Sequence, residues 1–236
     1  MDRILVKHFE IPPDPVRVLV VGFPGLGLVG ATAARMLLNG EDGKTAGLAL
    51  SFHPYALMGN VRSSRSGMTK MQAVRLHHKP LSEPKGGILV LTATSQPPED
   101  LQYELAWVVI REAKLLGCNT LLTLGGYQTP SVTSSRKVYF CSNDLHSYRT
   151  STKLGFEIFE GPITGAAGVF AGVGKFMGLS GGCMLGETTG EGTPDGAAAS
   201  AVVSALMAFL RPNSPKNEHG EIGRNMRRGS HLDSLS

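Results

Sequence analysis

A short β-branched run, Val16-Arg17-Val18-Leu19-Val20-Val21, stops at Gly22, and Gly25 to Asn39 then repeats apolar residues at Leu26, Val29, Ala33, Met36 and Leu37. The run suits a buried strand and the repeat follows the period of an amphipathic helix, so the segment reads as strand, glycine turn, helix. The same grammar returns where Gly87 to Leu91 precedes a polar loop from Thr92 to Asp100 and a helix carrying Leu101, Leu105, Val108, Val109 and Leu116 on one face. Leu121-Leu122-Thr123-Leu124 reads as the next buried strand, and Ala46 to Phe52, Met71 to Leu76, Lys137 to Cys141 and Leu179 to Leu185 are further short runs bounded by turn formers. Strands alternating with helices predict the α/β class. The expected architecture is a three-layer α/β/α sandwich around a mostly parallel mixed sheet, joined by right-handed crossovers and covered on both faces.

The last helix has the clearest signals, with Thr193 as cap, Pro194 in the first turn, and Ala198, Val202, Ala205, Leu206 and Phe209 at helical spacing before Arg211-Pro212. The 236-residue length fits one sizeable domain, placed at residues 1–211. With 42% apolar and 18% charged residues there is material for a core and too little charge for a disordered chain. From Arg211 onward only Ile222, Met226, Leu232 and Leu235 are apolar, four of 26 residues, which does not offset the entropy of ordering them. Residues 212–236 are therefore expected to form a disordered tail, and Arg228-Gly229-Ser230-His231 looks like a vector remnant within it.

The charge balance, 23 Lys+Arg against 19 Asp+Glu, leaves a net +4 without a concentrated basic face. The loose cluster Arg62, Arg65 and Lys70 reads as a solvated loop, and a nucleic-acid partner is not expected. Aromatic residues at 6% also weigh against RNA or sugar surfaces. Cys118, Cys141 and Cys183 are scattered and show no C-x-x-C spacing, which argues against a disulfide framework and a thiolate zinc site and fits a reducing cytoplasm. The start turns polar at once, without the apolar core of a signal peptide. The low-charge stretch from Gly161 to Gly186 is interrupted by Lys175 and falls short of the ~20 apolar residues of a membrane span. The seven histidines show neither H-x-x-x-H nor H-E-x-x-H spacing, so no metal site is expected.

Gly25-Leu26-Gly27-Leu28-Val29-Gly30 satisfies G-x-G-x-x-G after a strand and at a helix start, the context of a dinucleotide fingerprint. The acid that should bind the ribose is missing from the end of the following strand, which reads Ser51-Phe52-His53, with Glu41 and Asp42 placed before it. Three readings stay open: a dinucleotide site, another anion at a helix N-terminus, or a glycine turn needed for tight helix–sheet packing. In a parallel sheet, Gly22 to Gly30, Thr92 to Pro98, Gly125 to Pro130 and Glu187 to Asp195 all leave carboxyl ends of strands and share one rim, where ligand clefts form. The candidate site is therefore Gly25, Gly27, Gly30, Gly125, Gly126, Tyr127, Glu187 and Asp195, with no catalytic nucleophile, no metal and no cofactor assigned. The same residue types also build ordinary turns and caps. Neither a G-x-S-x-G elbow nor a P-loop occurs.

Taken in order, Gly22-Phe23-Pro24-Gly25-Leu26-Gly27-Leu28-Val29-Gly30, Leu124-Gly125-Gly126-Tyr127, Val138-Tyr139-Phe140, Phe159-Glu160-Gly161-Pro162-Ile163-Thr164-Gly165 and Leu185-Gly186-Glu187-Thr188 with Asp195 resemble the proteasome assembly chaperone family of PAC type, from about Ile4 to Leu210. The resemblance implies an α/β/α fold similar to the phosphorylase/hydrolase-like group, homo-oligomers or pairing with a related subunit, and binding to α-type proteasome subunits. It implies work done by matched surfaces rather than by a catalytic group. Some members end in a hydrophobic-Tyr-any-residue tripeptide, whereas this chain ends Ser234-Leu235-Ser236. The rival is an ATP-grasp-like ligase or another nucleotide- or anion-binding enzyme, with Lys175 on the phosphates and Glu187, Glu191 and Asp195 for magnesium.

Overall fold

The computed structural model describes residues 3–39, 45–54, 61–63, 66–71, 73–81, 86–190 and 194–211. Its strands are β1 (Ile4–His8), β2 (Val16–Gly22), β3 (Gly47–Pro54), β4 (Val61–Ser63), β5 (Thr69–Met71), β6 (Val74–Leu81), β7 (Gly86–Thr92), β8 (Thr120–Gln128), β9 (Val138–Ser142), β10 (Glu157–Ile158) and β11 (Ser180–Thr188). The helices are α1 (Val29–Leu38), α2 (Glu99–Leu115), α3 (Leu145–Lys153), α4 (Gly165–Phe176) and α5 (Gly196–Leu210), with a 3-10 turn at Leu26–Leu28 ahead of α1.

Nine strands form one mixed sheet in the order β1-β3-β6-β7-β2-β8-β11-β9-β10, and β4 and β5 make a separate hairpin. The centre, β7-β2-β8-β11, is parallel throughout. On one flank β6, β3 and β1 join antiparallel, and on the other β9 runs antiparallel to β11 with β10 parallel to it. Strand alternation sorts the core by face. Leu19, Val21, Leu89, Leu91 and Leu121 meet Leu105, Val109 and Ile110 of α2 and Phe170 and Val173 of α4. Val20, Ile88, Val90, Leu122 and Leu124 meet Val29, Ala33 and Leu37 of α1 and Ala198, Val202 and Leu206 of α5. The sheet is thus sandwiched between an α2/α4 layer and an α1/α5 layer, as the sequence predicts.

Several local expectations are corrected. Met71 to Leu76 is not one strand, because Met71 ends β5 of the hairpin while Val74 opens β6 of the main sheet. The last helix is capped by Asp195, whose Oδ1 accepts from Ala198 N at 3.0 Å, so Pro194 precedes the helix instead of lying in its first turn. Thr193 lies outside the described residues, as do Glu41, Asp42, Arg65, Glu191 and the expected tail at 212–236. Arg62 and Lys70 are register partners in the hairpin. Among the described residues, no helix is long and apolar enough to cross a membrane.

Candidate functional site

Because β2, β7, β8 and β11 are parallel, the segments that follow them meet at one rim, as expected. Within the sheet, β3, β6 and β7 lie on one side of β2 and β8 to β11 on the other, so the glycine turn sits at the topological switch point. A cavity of about 640 Å³ opens there. Its walls come from Phe23 and Gly25, from Gln96 to Glu99 with Gln102, from Gly125 to Gln128, and from Phe159 and Pro162 to Gly165 with Ala167.

Of the residues proposed from sequence, Gly25, Gly125, Gly126 and Tyr127 line this cavity, and Gly27, Gly30, Glu187 and Asp195 do not. Tyr127 packs edge-on against Tyr139 and Phe159, with ring centroids 4.8 and 5.1 Å away, which makes an aromatic wall. Gln96 ties the glycine turn to α4, since its Nε2 donates to Pro24 O at 2.5 Å and its Oε1 accepts from Ala166 N at 3.3 Å. Neither Gln96 nor Phe159 was singled out as a site residue from the sequence.

The glycine turn is built for close approach. Gly27 has φ of 56°, the left-handed region, and a Cβ there would lie 2.5 Å from Thr188 Oγ1. A Cβ on Gly30 would overlap the carbonyl oxygen of Leu124, because the first turn of α1 rests directly on β8. The amides of Leu28 and Val29 bond back to the carbonyls of Gly25 and Leu26. Two of the donors that a phosphate would need are therefore used inside the turn.

Asp195 and Glu187 hold structure on opposite faces of β11. Asp195 caps α5, accepts from Thr188 Oγ1 at 3.0 Å on Oδ2, pairs with Arg136 Nη2 at 3.4 Å, and donates its amide to Gly27 O at 2.8 Å. Arg136, which the sequence did not single out, has φ of 37° and is 18% exposed in its side chain. Glu187 is 3% exposed, and its Oε2 accepts from Thr133 Oγ1 at 2.5 Å, Thr133 N at 3.0 Å and Lys137 N at 3.1 Å. The Thr133 hydroxyl leads in holding the Glu187 carboxyl below the usual carboxylate range. Burial opposes that shift, and the two amides and the Lys137 charge reinforce it.

Glu187 shares the α4 face of β11 with Leu185, which packs beside Gly125 and Ala167, while Gly186 and Thr188 face α1 and α5. The two acids thus do not converge. Lys175 stands in the last turn of α4, at the end of that helix remote from the cavity, which Thr164 and Gly165 reach at its start. The ligase inventory of Lys175, Glu187 and Asp195 is not assembled, and no lysine or arginine is among the cavity-lining residues.

Away from the rim, α2 carries Tyr103 and Trp107 off its buried face, 68% and 46% exposed, and Phe176 at the end of α4 is 79% exposed. Trp107 and Phe176 meet as a tilted pair, with centroids 6.0 Å apart and an interplanar angle of 45°. The signal was legible: Tyr103 and Trp107 stand four apart, outside the stripe of Leu101, Leu105 and Val109.

The sequence profile of the PAC2 family matches residues 19–218. The chain belongs to the PAC2 family. PbaB of Pyrococcus furiosus, described as an archaeal proteasome activator, is 26% identical, with a TM-score of 0.79 over 89% of this chain and 90% of that one. The Mycobacterium tuberculosis proteasome-assembly chaperone homologue Rv2125 is 17% identical and shares the fold, with a TM-score of 0.67 over 84% of this chain and 87% of its own. An uncharacterized Methanocaldococcus jannaschii protein, MJ1210, is 30% identical over 193 residues, 80% of this chain and 72% of its own. The proteasome-assembly-chaperone resemblance read from the ordered motifs is therefore correct. In this PAC2-family chain, the motif residues Gly22, Gly27, Gly30, Thr188 and Asp195 are those that lock the glycine turn, β11 and α5 together, while Glu187 ties β11 to the segment 133–137.

Proposed function

We propose that this protein is a proteasome-assembly-chaperone-like binding protein that engages α-type proteasome subunits through matched surfaces, as a cytoplasmic homo-oligomer and without bond chemistry of its own. One observation carries the reading: the rim carboxylates of Glu187 and Asp195 are engaged in internal hydrogen bonds, whereas the only tryptophan, Trp107, is displayed with Tyr103 and Phe176 on an outer face. Carboxylates so engaged hold the fold together and do not stand free for a substrate or metal. Exposed tryptophan and tyrosine are the residues that dominate protein interfaces. The names of PbaB and Rv2125 point the same way. The test mixes the purified chain with purified α-type subunits from the same host and measures complex mass by sedimentation velocity. A stoichiometric complex is expected, and two independent sedimenting species at ~100 μM would reject the reading, a concentration well above the Kd of any −8 kcal/mol interface.

A second reading has the rim cavity in its favour. Its walls are aromatic and amide in character, so a small uncharged ligand suits it better than a nucleotide. ATP with magnesium is expected to leave the melting temperature unchanged, and a saturable rise would restore the nucleotide-binding alternative.

A further inference from the structure

We propose that the rim cavity takes an extended peptide segment of another protein, added as a strand to the open edge of β8 in the place that β2 vacates. That names a ligand class for the cavity and rests on its reading as a site for a small uncharged ligand. β2 pairs with β8 only as far as Gly22, opposite Leu124, whereas β11 stays paired four residues further, to Thr188 opposite Gln128. β7 ends its pairing with β2 at the same level, with Thr92 opposite Gly22. Residues 125–128 of β8 are therefore paired on one side only, over about 13 Å at the rise of a strand. The gap is a notch inside the sheet, with β8 on one side and the segment 96–99 lining the other.

Parallel pairing decides which backbone groups the notch exposes. Along β8, successive residues direct their amide and carbonyl alternately to the two neighbouring strands. Ser180 N donates to Asn119 O at one end of the β8–β11 pair and Thr129 N donates to Thr188 O at the other, both at 3.0 Å, so the odd-numbered residues serve β11. The even-numbered residues serve β2, and Gly126 and Gln128 lie past its end. Among the described residues, their amides and carbonyls have no backbone partner on that side. Two donors and two acceptors thus stand at the spacing of an extended chain, the pattern by which a strand is added to a sheet.

The walls select the side chains of such a segment. Tyr127, edge-on to Tyr139 and Phe159, offers an aromatic surface on the α4 face, which every second residue of an added strand would meet. Gln102 of α2 lines the cavity at 6% exposure, and its Nε2 donates to Pro97 O at 3.1 Å. Its Oε1 has no partner among the described residues, so a buried acceptor remains for a donor of the ligand. Glu99 is the one charged residue among those lining the cavity, which disfavours an acidic segment. A neutral segment with apolar or aromatic residues at alternate positions fits best.

The probe is a pool of acetylated, amidated hexapeptides built from Val, Ile, Phe, Tyr, Thr and Gln, dialysed to equilibrium against the full chain at ~100 μM and read by mass spectrometry. Peptides with apolar residues at alternate positions should be enriched on the protein side. N-methylation of an enriched peptide at alternate residues should abolish binding in one register and spare it in the other, because the amides of an added strand reach β8 from every second residue only. Gln128→Pro removes an amide that faces the notch and leaves the β11 ladder intact, so it should weaken binding ~10-fold, while Gln128→Ala keeps that amide and should bind as the wild type does. Circular dichroism checks both folds, and the N-methyl series needs no variant. No enriched peptide, equal loss in both N-methyl registers, or binding unchanged by a folded Gln128→Pro would each overturn the proposal. p-Cresol is the side-chain-only probe: saturable stabilisation by it that Tyr127→Ala removes, without peptide binding, rejects the strand and keeps the small-ligand reading, and failure of both probes rejects both.

Discussion

Replacing Asp195 by alanine removes four things at once, and their sum is calculable from the geometry. Ala198 N loses its cap acceptor, which costs about 1 kcal/mol. The Thr188 hydroxyl, on a residue 1% exposed, loses its acceptor at 3.0 Å, for about 1–2 kcal/mol. Arg136 loses its carboxylate at 3.4 Å, and because the pair is long and partly exposed the cost is about 1 kcal/mol, not the larger penalty of a fully buried pair. The negative charge at the start of α5 is also lost, a few tenths of a kcal/mol. The expected destabilisation is about 3–4 kcal/mol, which in a chain of this size lowers the melting temperature by roughly 10 °C. Asp195→Asn keeps a cap acceptor and a partner for Thr188 and should lose only about 1 kcal/mol. Urea unfolding followed by circular dichroism, on wild type and both variants, measures the ladder. If Asp195→Ala unfolds within about 0.5 kcal/mol of wild type, the spread of ordinary surface substitutions, Asp195 is not a structural lock and returns to the list of candidate ligand groups.

Gly30→Ala should destabilise by about 3 kcal/mol or more, since its Cβ overlaps the Leu124 carbonyl oxygen, while Gly25→Ala, whose Cβ would have only Gln96 Nε2 at 3.7 Å, should be nearly neutral; chemical denaturation separates them. Glu187 has a depressed pKa, so its contribution is complete above the ordinary carboxylate range and is lost as the pH falls through the depressed value; Glu187→Gln should flatten the acid limb of a stability–pH profile measured by urea midpoints. Burial lowers the pKa of His77, with Arg75 adding to the effect, and burial also lowers that of His78, with Asp14 opposing, so stability should begin to fall below about pH 6.5 and a His77→Gln variant should lose part of that slope. Burial pushes the Cys118 and Cys183 thiols up to about 12, so a thiol reagent at neutral pH should label half-buried Cys141 first and the other two only on unfolding, as read by mass spectrometry.

The central strands were legible because a strand buried on both faces reads as a nearly continuous apolar run, as Val18 to Val21 does and as Leu121 to Leu124 does with only Thr123 interrupting. Two helices were not. The sequence of α3 carries no apolar period, because what it buries is Ser147, Thr150 and Ser151, with Asp144 as its cap. The α4 segment, GAAGVFAGVGKF, holds four glycines and was not read as a helix, yet Gly168 lets the helix meet the Ile163 carbonyl and Gly174 lets it meet the Leu121 side chain. At the rim, parallel order was enough to gather Gly25, Gly125, Gly126 and Tyr127 around one cavity. The roles of Glu187 and Asp195 were not readable, because each is fixed by a distant segment. Glu187 is satisfied by Thr133, 54 residues away, and Asp195 by Arg136 and the Gly27 carbonyl. Of the three readings open for the glycine turn, close packing of the turn and α1 on the sheet is the one the geometry fits, with Gly22 of β2 against α1, Gly27 against Thr188 of β11 and Gly30 against Leu124 of β8.

The central claim is that this PAC2-family chain acts by binding protein rather than by chemistry at the rim. Isothermal titration of the intact chain with a purified α-type proteasome subunit from its own host tests it most directly. The account predicts saturable binding at a fixed stoichiometry that survives Gly25→Ala at the cavity wall. Absence of heat and of complex at ~100 μM, together with saturable stabilisation of the chain by ATP and magnesium, would contradict it.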